Sequence, residues 1–405
     1  MTQANNETSV APTGLKLDLE REWRERKDDT IGLRRDFHRH PELSFKEERT
    51  AQIVSDRLER AGLRVRRNVG QTGVVGVLEG MRPGRTVMWR ADMDALPIQE
   101  NNDYDFISEN PGVMHACGHD AHTAIGLTVA NILAGHRPTL PGKVVFVFQP
   151  AEEIGAGALA MLNDGLMEQE KPEVALGLHV GSLYKTGQAQ VLGGPLMAAV
   201  DTLEMVIRGK GGHAAYPHLT VDPIVVACQI VIALQTLVSR ETAPTSPAVI
   251  TFGTLQAGTK DNIIPDEAHL TGTLRTFDPE LRQYLIRRIG EMAGGIATAM
   301  QASATFRTSG GCPAVINDMQ MAERVRQSAI RAIGAANVVE AVPRMGSEDM
   351  SFFLEKMPGC FFNVGIAQPD KPLTPHHTPL FDMNEAGLEV GTKVATQAIV
   401  DMLEQ

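Results

Sequence analysis

Positive charge is in short supply in this 405-residue chain: 38 Lys and Arg stand against 49 Asp and Glu, a formal net charge of −11. No acidic tail carries the excess, and the balance argues against nucleic acid or an anionic membrane as partner, since both call for a basic face. Cysteine is also scarce. Cys117, Cys228, Cys312 and Cys360 form no CxxC pair, and without a secretory context a reducing cytoplasm is the expected setting. Cys228, Cys312 and Cys360 read as small buried hydrophobes. The opening stretch, MTQANNETSVAPTG, lacks a basic start followed by an apolar core, so a disordered tail is expected there and no secretory signal. Long apolar runs are missing too. The most apolar stretch, Ile224 to Val238, is interrupted by Cys228, Gln229, Gln235 and Thr236, which predicts a buried helix and no membrane span. Neither a GxSxG elbow nor a Walker loop occurs, and no internal repeat or low-complexity segment is apparent.

What remains is an ordinary globular composition, 43% hydrophobic and 21% charged, in a chain long enough for about two to three domains. Helical spacing covers Leu17 to Phe37 and Lys46 to Ala61. Short apolar runs then recur at 73–78, 86–90, 143–148 and 174–179, with helical stretches near 120–134 and 155–163. Strands alternating with helices predict an α/β layer on a mixed, largely parallel sheet. The pattern changes at Gly193-Gly194-Pro195. From there it reads strand 200–208, helix 222–239, strands 247–256 and 267–277, helix 279–302 and strand 304–309. That βαββαβ order predicts a ferredoxin-like sheet with two helices on one face. Gly310-Gly311-Cys312-Pro313 closes it. Helices over 318–333, 347–357 and 384–403 and a strand over 360–366 follow. The expected organisation is a catalytic domain in two parts, 1–194 and 312–405, with 195–311 inserted.

Chemistry-bearing residues gather where strands end: Asp92 and Asp94, Cys117 and His119, Glu152 and Glu153, and His179, with His376-His377 after the last strand. In open α/β sheets ligands collect beyond the carboxyl ends of strands. Cys117, His119, Glu153, His179 and His377 make a mixed N/O/S set suited to zinc- or manganese-like divalent ions. Five ligands exceed the four of a closed structural site and suit two metals with open positions. Taken singly, each has a bland reading as a core or hydrogen-bonded residue, and Glu152-Glu153 could be an exposed acidic helix start. Their joint occurrence at strand ends favours the metal reading. Adjacent carboxylates in a buried mouth repel unless a cation or proton intervenes, so a metal on one and proton transfer on the other would resolve the conflict. Gly155-Ala156-Gly157-Ala158-Leu159-Ala160 matches a dinucleotide fingerprint, but six residues separate it from the strand and two glutamates would repel a pyrophosphate.

The stretches FHRHPELSFKE (37–47), RADMDALP (90–97), HACGHDAHT (115–123), QPAEE (149–153), GLHV (177–180), GKGGHAAYPH (209–218) and HHTP (376–379) resemble the hippurate hydrolase and auxin-conjugate amidohydrolase branch of the dinuclear aminoacylase/carboxypeptidase superfamily. The resemblance runs in order from about residue 32 to the C-terminus. It implies a metal-dependent amidohydrolase of small N-acyl amino acids, with two divalent ions (Zn, Mn, Ni or Co) on Cys117, His119, Glu153, His179 and His377. It implies that Glu152 is the general base. Asp94 falls on the aspartate that orients a metal-bound imidazole in the wider superfamily, and Asp92 where that imidazole would be. His213 resembles the histidine of a lid domain that reaches the scissile carbonyl, often from a partner subunit, which implies a homodimer through the inserted domain. Asn262 and Arg275 fall where relatives hold the substrate carboxylate. His38, His40, His115, His122, His218 and Glu348 are expected to be structural. Two rival readings are a deacetylase of N-acetyl-diaminopimelate or N-acetylcysteine, and a catalytically silent metal-binding protein on the same fold. Intact Glu152 and Asp94 argue against the second.

Overall fold

Val74, Val75 and Val77, like Val87, Met88 and Trp89, leave no polar face, and strands of that kind must be covered on both sides. In the computed structural model, which describes Leu15 and residues 17–404, these runs lie inside an eight-stranded mixed sheet. The N-terminal stretch expected to be disordered, 1–14, lies outside the described residues. Strand order is Arg64–Val69, Gly73–Glu79, Pro141–Gln149, Arg82–Asp92, Val174–Lys185, Gly359–Ala367, Ala189–Val191 and Val338–Glu340. Four neighbours, 141–149, 82–92, 174–185 and 359–367, run parallel, so their carboxyl ends share one edge. Alternate residues feed different cores. Val74, Val87 and Trp89 pack with Trp23, Val54, Ala121, Val325 and Val394 from five long helices. Val75, Val77 and Met88 pack with Ala158, Met161, Leu166 and Phe353 from three short ones.

The chain leaves this sheet through Gly194–Met197 and returns through Val315–Asn317, and the two segments pair antiparallel. Between them lies an antiparallel sheet ordered Ala248–Ala257, Glu267–Thr276, Ala199–Arg208 and Ser303–Ser309. Burial alternates strictly along 267–276, as a sheet covered on one face requires, and Ala268, Leu270 and Leu274 meet Ile230, Leu234, Leu285 and Ile289 of the helices Pro223–Thr236 and Pro279–Ala299. Asp222 and Asp278 cap those helices, each followed by a proline at the first helical position.

Three expectations need correction. The helix read over 224–238 is buried on one face only. Val226, Ala227, Ile230 and Leu234 pack inward, while Val225, Ile232 and Cys228 face outward. Extended by a π-helical turn to Glu241, it is also long and apolar enough by composition to cross a bilayer, although one face is spent on the small sheet. The helix expected over 347–357 shrinks to Ser351–Leu354, because Glu348 and Asp349 turn inward to a buried arginine. The strand expected to stop at His179 runs on to Lys185, held by the parallel strand 359–367.

Candidate metal centre

The shared edge of the parallel strands brings all five expected ligands together. Cys117, His119 and His179 present ligand atoms within 4.8 Å of one another, as do Cys117, Glu153 and His377. Cys117 belongs to both groups, so the two triplets adjoin through one thiol. Cys117 Sγ lies 3.5 Å from His179 Nε2, and His377 Nε2 lies 3.3 Å from Glu153 Oε2. Gly118 makes the turn between Cys117 and His119 at φ 92°, and a Cβ there would meet Val180 Cγ2 at 2.4 Å. Only glycine lets the chain pass from loop to helix so close to the neighbouring strand.

The imidazoles are aimed by their far nitrogens. His119 Nδ1 donates to the Asp94 carbonyl at 2.9 Å, and His179 Nδ1 donates to the Val180 carbonyl at 2.6 Å. Each ring therefore offers the lone pair of Nε2 inward, the tautomer that metal-binding histidines adopt. His119 Nε2 and Glu153 Oε1 are buried without a hydrogen-bond partner among the described residues, and they face each other at 3.9 Å. Orphaned buried groups of this kind are costly unless something fills the space between them. A thiol, three imidazoles and a carboxylate converging there fit a pair of divalent cations.

Burial drives the electrostatics the same way. It pushes Glu153 up to about 7 and Glu152, beside Glu348, well above the carboxylate range. Burial, with Glu153 nearby, also raises the Cys117 thiol. Cationic charge in the centre would let these groups ionise.

Asp94 ties the two glutamates down. Its Oδ1 accepts the Glu152 N–H and its Oδ2 the Glu153 N–H, both at 3.0 Å, and Ser44 Oγ donates to it at 2.7 Å. The preceding Ala151 sits in the left-handed region at φ 52°, a strained conformation for a residue with a Cβ. Glu47 holds it by accepting its N–H at 2.9 Å. Asp92 has different work: it accepts from His122 Nδ1 at 2.5 Å and Arg90 Nη1 at 2.6 Å. Of the two aspartates, Asp94 is the one that fixes the Glu152-Glu153 turn and, through its carbonyl, His119.

A cavity of about 520 Å³ opens over the cluster, lined by Cys117, Glu152, Glu153, His179, His376 and His377 and, from the small sheet, Arg275. Arg275 Nη1 donates to Ser347 Oγ at 3.0 Å. His213 and Asn262 do not line it. They sit together on an exposed edge of the smaller unit, where His213 pairs with Ile263 and Ala214 N–H donates to the Asn262 carbonyl at 3.1 Å.

Among the residues expected to be structural, His122 commits both nitrogens, its Nε2 accepting the Val180 N–H at 2.9 Å. His38 bridges Asp120 and Glu100 at 2.7 and 3.1 Å, and His40 donates to the Asp36 carbonyl. Glu348 has a structural partner too, the buried Arg90. With Asp349, Glu348 lines the cavity and clusters with Glu152. Arg90, wholly buried, donates to Glu348 Oε1 at 2.8 Å and Asp349 Oδ1 at 2.9 Å. The acidic pair inside GSEDMS was the available signal, but its partner lies 258 residues away.

A family model described as peptidase family M20/M25/M40 matches residues 88–401. The N-acetylcysteine deacetylase of Bacillus subtilis is 39% identical over 92% of this chain and 97% of its own length. IAA-amino acid hydrolase ILR1-like 5 of Arabidopsis thaliana is 37% identical over 92% of this chain and 87% of its own. Among solved structures, the Bacillus subtilis YXEP protein, described as a dinuclear metal binding peptidase from the M20 family, superposes with a TM-score of 0.83 at 36% identity, covering 94% of this chain and 99% of that one.

Proposed function

The chain belongs to peptidase family M20/M25/M40 and is a hydrolase of amide bonds, and from that premise we propose that it cleaves small N-acyl amino acids to a carboxylic acid and a free amino acid. One observation carries the reading. Glu152, whose side chain makes no hydrogen bond among the described residues, stands beside the five-residue ligand set in a cavity of small-molecule size that also holds Arg275, which has no carboxylate partner among the described residues.

Two divalent ions on Cys117, His119, Glu153, His179 and His377 would supply Lewis acidity toward the amide carbonyl and acidify an attacking water. Glu152 takes the proton from that water and returns it to the leaving amine. Arg275, a planar fork with no carboxylate partner among the described residues, grips the α-carboxylate. His213 and Asn262 share one edge and therefore arrive together, by closure of the smaller unit or from the same edge of a second copy. In that position His213 donates to the developing oxyanion. The enzyme works in the cytoplasm as a homodimer joined through the inserted unit, which serves as lid and dimerisation domain over residues 195–311.

Hippurate-like and indole-acetyl conjugates are the proposed substrates. The identity to an N-acetylcysteine deacetylase supports a small acetyl group as the second reading. Metal analysis, followed by turnover of hippurate, indole-acetyl amino acids and N-acetyl amino acids by the metal-loaded protein, tests both. Preference for an aromatic acyl group supports the first reading and preference for acetyl the second. If the metal-loaded protein and its Glu152→Gln variant are equally inert on every amide, the proposal fails.

A further inference from the structure

Arg344 lines the same cavity from the large unit. Its backbone is fixed against the strand that leads to the small sheet: Arg344 N–H donates to the Leu196 carbonyl at 2.9 Å, and Ala198 N–H donates to the Arg344 carbonyl at 3.1 Å. Its guanidinium lies over Tyr184, 5.3 Å from the ring centroid and within cation–π reach. Nη2 donates to Asn363 Oδ1 at 2.6 Å. Nε is buried without a partner, and Nη1 makes no hydrogen bond among the described residues. No carboxylate of the described residues pairs with it, although Glu348 and Asp349, which line the same cavity, are held by Arg90.

The surroundings of Arg344 are equally unspent. His179, Asn363 and Gln190 are register partners across three adjacent strands, so their side chains form one row on one face. Asn363 Nδ2 and both side-chain polar atoms of Gln190 are buried and unpartnered among the described residues. A half-buried guanidinium held by Asn363, with Nη1 uncommitted and opening onto the substrate cavity, offers the donor fork that carboxylate recognition requires.

We propose that Arg344, backed by Asn363 and Gln190, is a carboxylate-recognition site of the substrate cavity, additional to the contact made by Arg275. The identity of that carboxylate, though not the site, rests on the amidohydrolase reading above. It is either the α-carboxylate, shared with Arg275, or the side-chain carboxylate of a dicarboxylic amino acid.

The test uses the metal-loaded full chain with Arg344→Met and Arg344→Lys, each compared with wild type by thermal melt. One acyl group is presented on glycine, on glutamate and on glycinamide. Arg344→Met should lower the ratio of kcat/KM for carboxylate over carboxamide substrates about 10- to 100-fold, and Arg344→Lys should restore part of it. Loss on both glycine and glutamate conjugates assigns the α-carboxylate, and loss on the glutamate conjugate alone assigns the side chain. An unchanged ratio, or equal loss on the carboxamide, overturns the proposal. Calorimetric titration of Glu152→Gln protein, with and without Arg344→Met, using the acyl-glutamate and its diamide, reads the same discrimination without turnover. If wild type hydrolyses nothing, the functional reading falls, and this titration still decides on Arg344.

Discussion

Replacing Asp94 by Asn changes one atom and removes one charge, and the hydrogen bonds around it fix what should follow. Asp94 spans two successive backbone N–H groups with its two oxygens, and Ser44 adds a third donor. An asparagine offers one oxygen. Whichever way the amide turns, its NH₂ faces either the Glu152 or the Glu153 N–H, donor against donor. One charge-assisted hydrogen bond is lost, about 1.5–3 kcal/mol, and a buried donor is left unsatisfied. The Ser44 hydroxyl can rotate to accept and so recovers little or nothing of that cost. His119 keeps its orientation, since its Nδ1 bonds the Asp94 main-chain carbonyl. The damage should therefore pass through the Glu152-Glu153 turn. Metal affinity should fall about 10- to 100-fold, the usual effect of losing a group that orients a ligand. The metal-free protein should lose about 2–3 kcal/mol in denaturant unfolding. Chelator-competition titration measures the first quantity and equilibrium unfolding the second. Wild-type metal affinity together with apo-protein stability within about 0.5 kcal/mol of wild type would refute the reasoning. Asp92→Asn is the contrast: it breaks a buried contact with Arg90, and its main cost should be stability, about 3–5 kcal/mol.

Cys117→Ala should lower metal occupancy and activity together, and thiol reagents should modify the metal-free wild type faster than the loaded form; equal reactivity with full occupancy in the variant would count against ligation. His213→Ala should lower turnover strongly at unchanged metal content. Mixing it with Glu152→Gln should recover part of the activity if the histidine acts across a dimer, and no recovery despite proven subunit exchange would exclude that version. Burial alone would raise Glu100, but the hydrogen bond and charge of His38 overcome it and bring the carboxyl to about 2, from 4.5. A depressed carboxylate contributes stability above its unfolded value that is lost as pH falls through the folded one. Glu100→Gln should therefore be less stable than wild type near pH 6 and lose less between pH 4.5 and 2, and parallel stability–pH curves would show that His38 does not act on it.

The candidate ligands were legible because their positions follow from local rules. Strand ends collect ligands, the spacing of Cys117 and His119 spans a single glycine turn, and the adjacent Glu152 and Glu153 gain meaning from occurring with the others at strand ends. The buried network around Arg90 was not legible, since an arginine at the end of a strand gives no sign that its partners lie at 348 and 349. The same contacts account for the lost helix at 347–357: the spacing there is helical, but two inward carboxylates outweigh it. Cys228 was misread because composition reports how apolar a helix is, not which side is covered. His213 and Asn262 appear in sequence motifs, yet their distance from the cavity depends on how the units are disposed, which no local pattern encodes.

Met197 and Val315 are register partners, so the segment between them leaves and re-enters the large unit at touching residues. In engineering terms the intervening segment is a cassette whose two splice points already meet. A tight turn joining Met197 to Val315 would close the large unit with no gap to bridge, because an insertion with adjoining ends leaves its host's path intact. Such a miniature would keep Cys117, His119, Glu152, Glu153, His179 and His377 on their own elements while shedding Arg275, Asn262 and His213. Ion capture, with Arg344, would thereby become separable from the contribution that Arg275, Asn262 and His213 make to substrate selection.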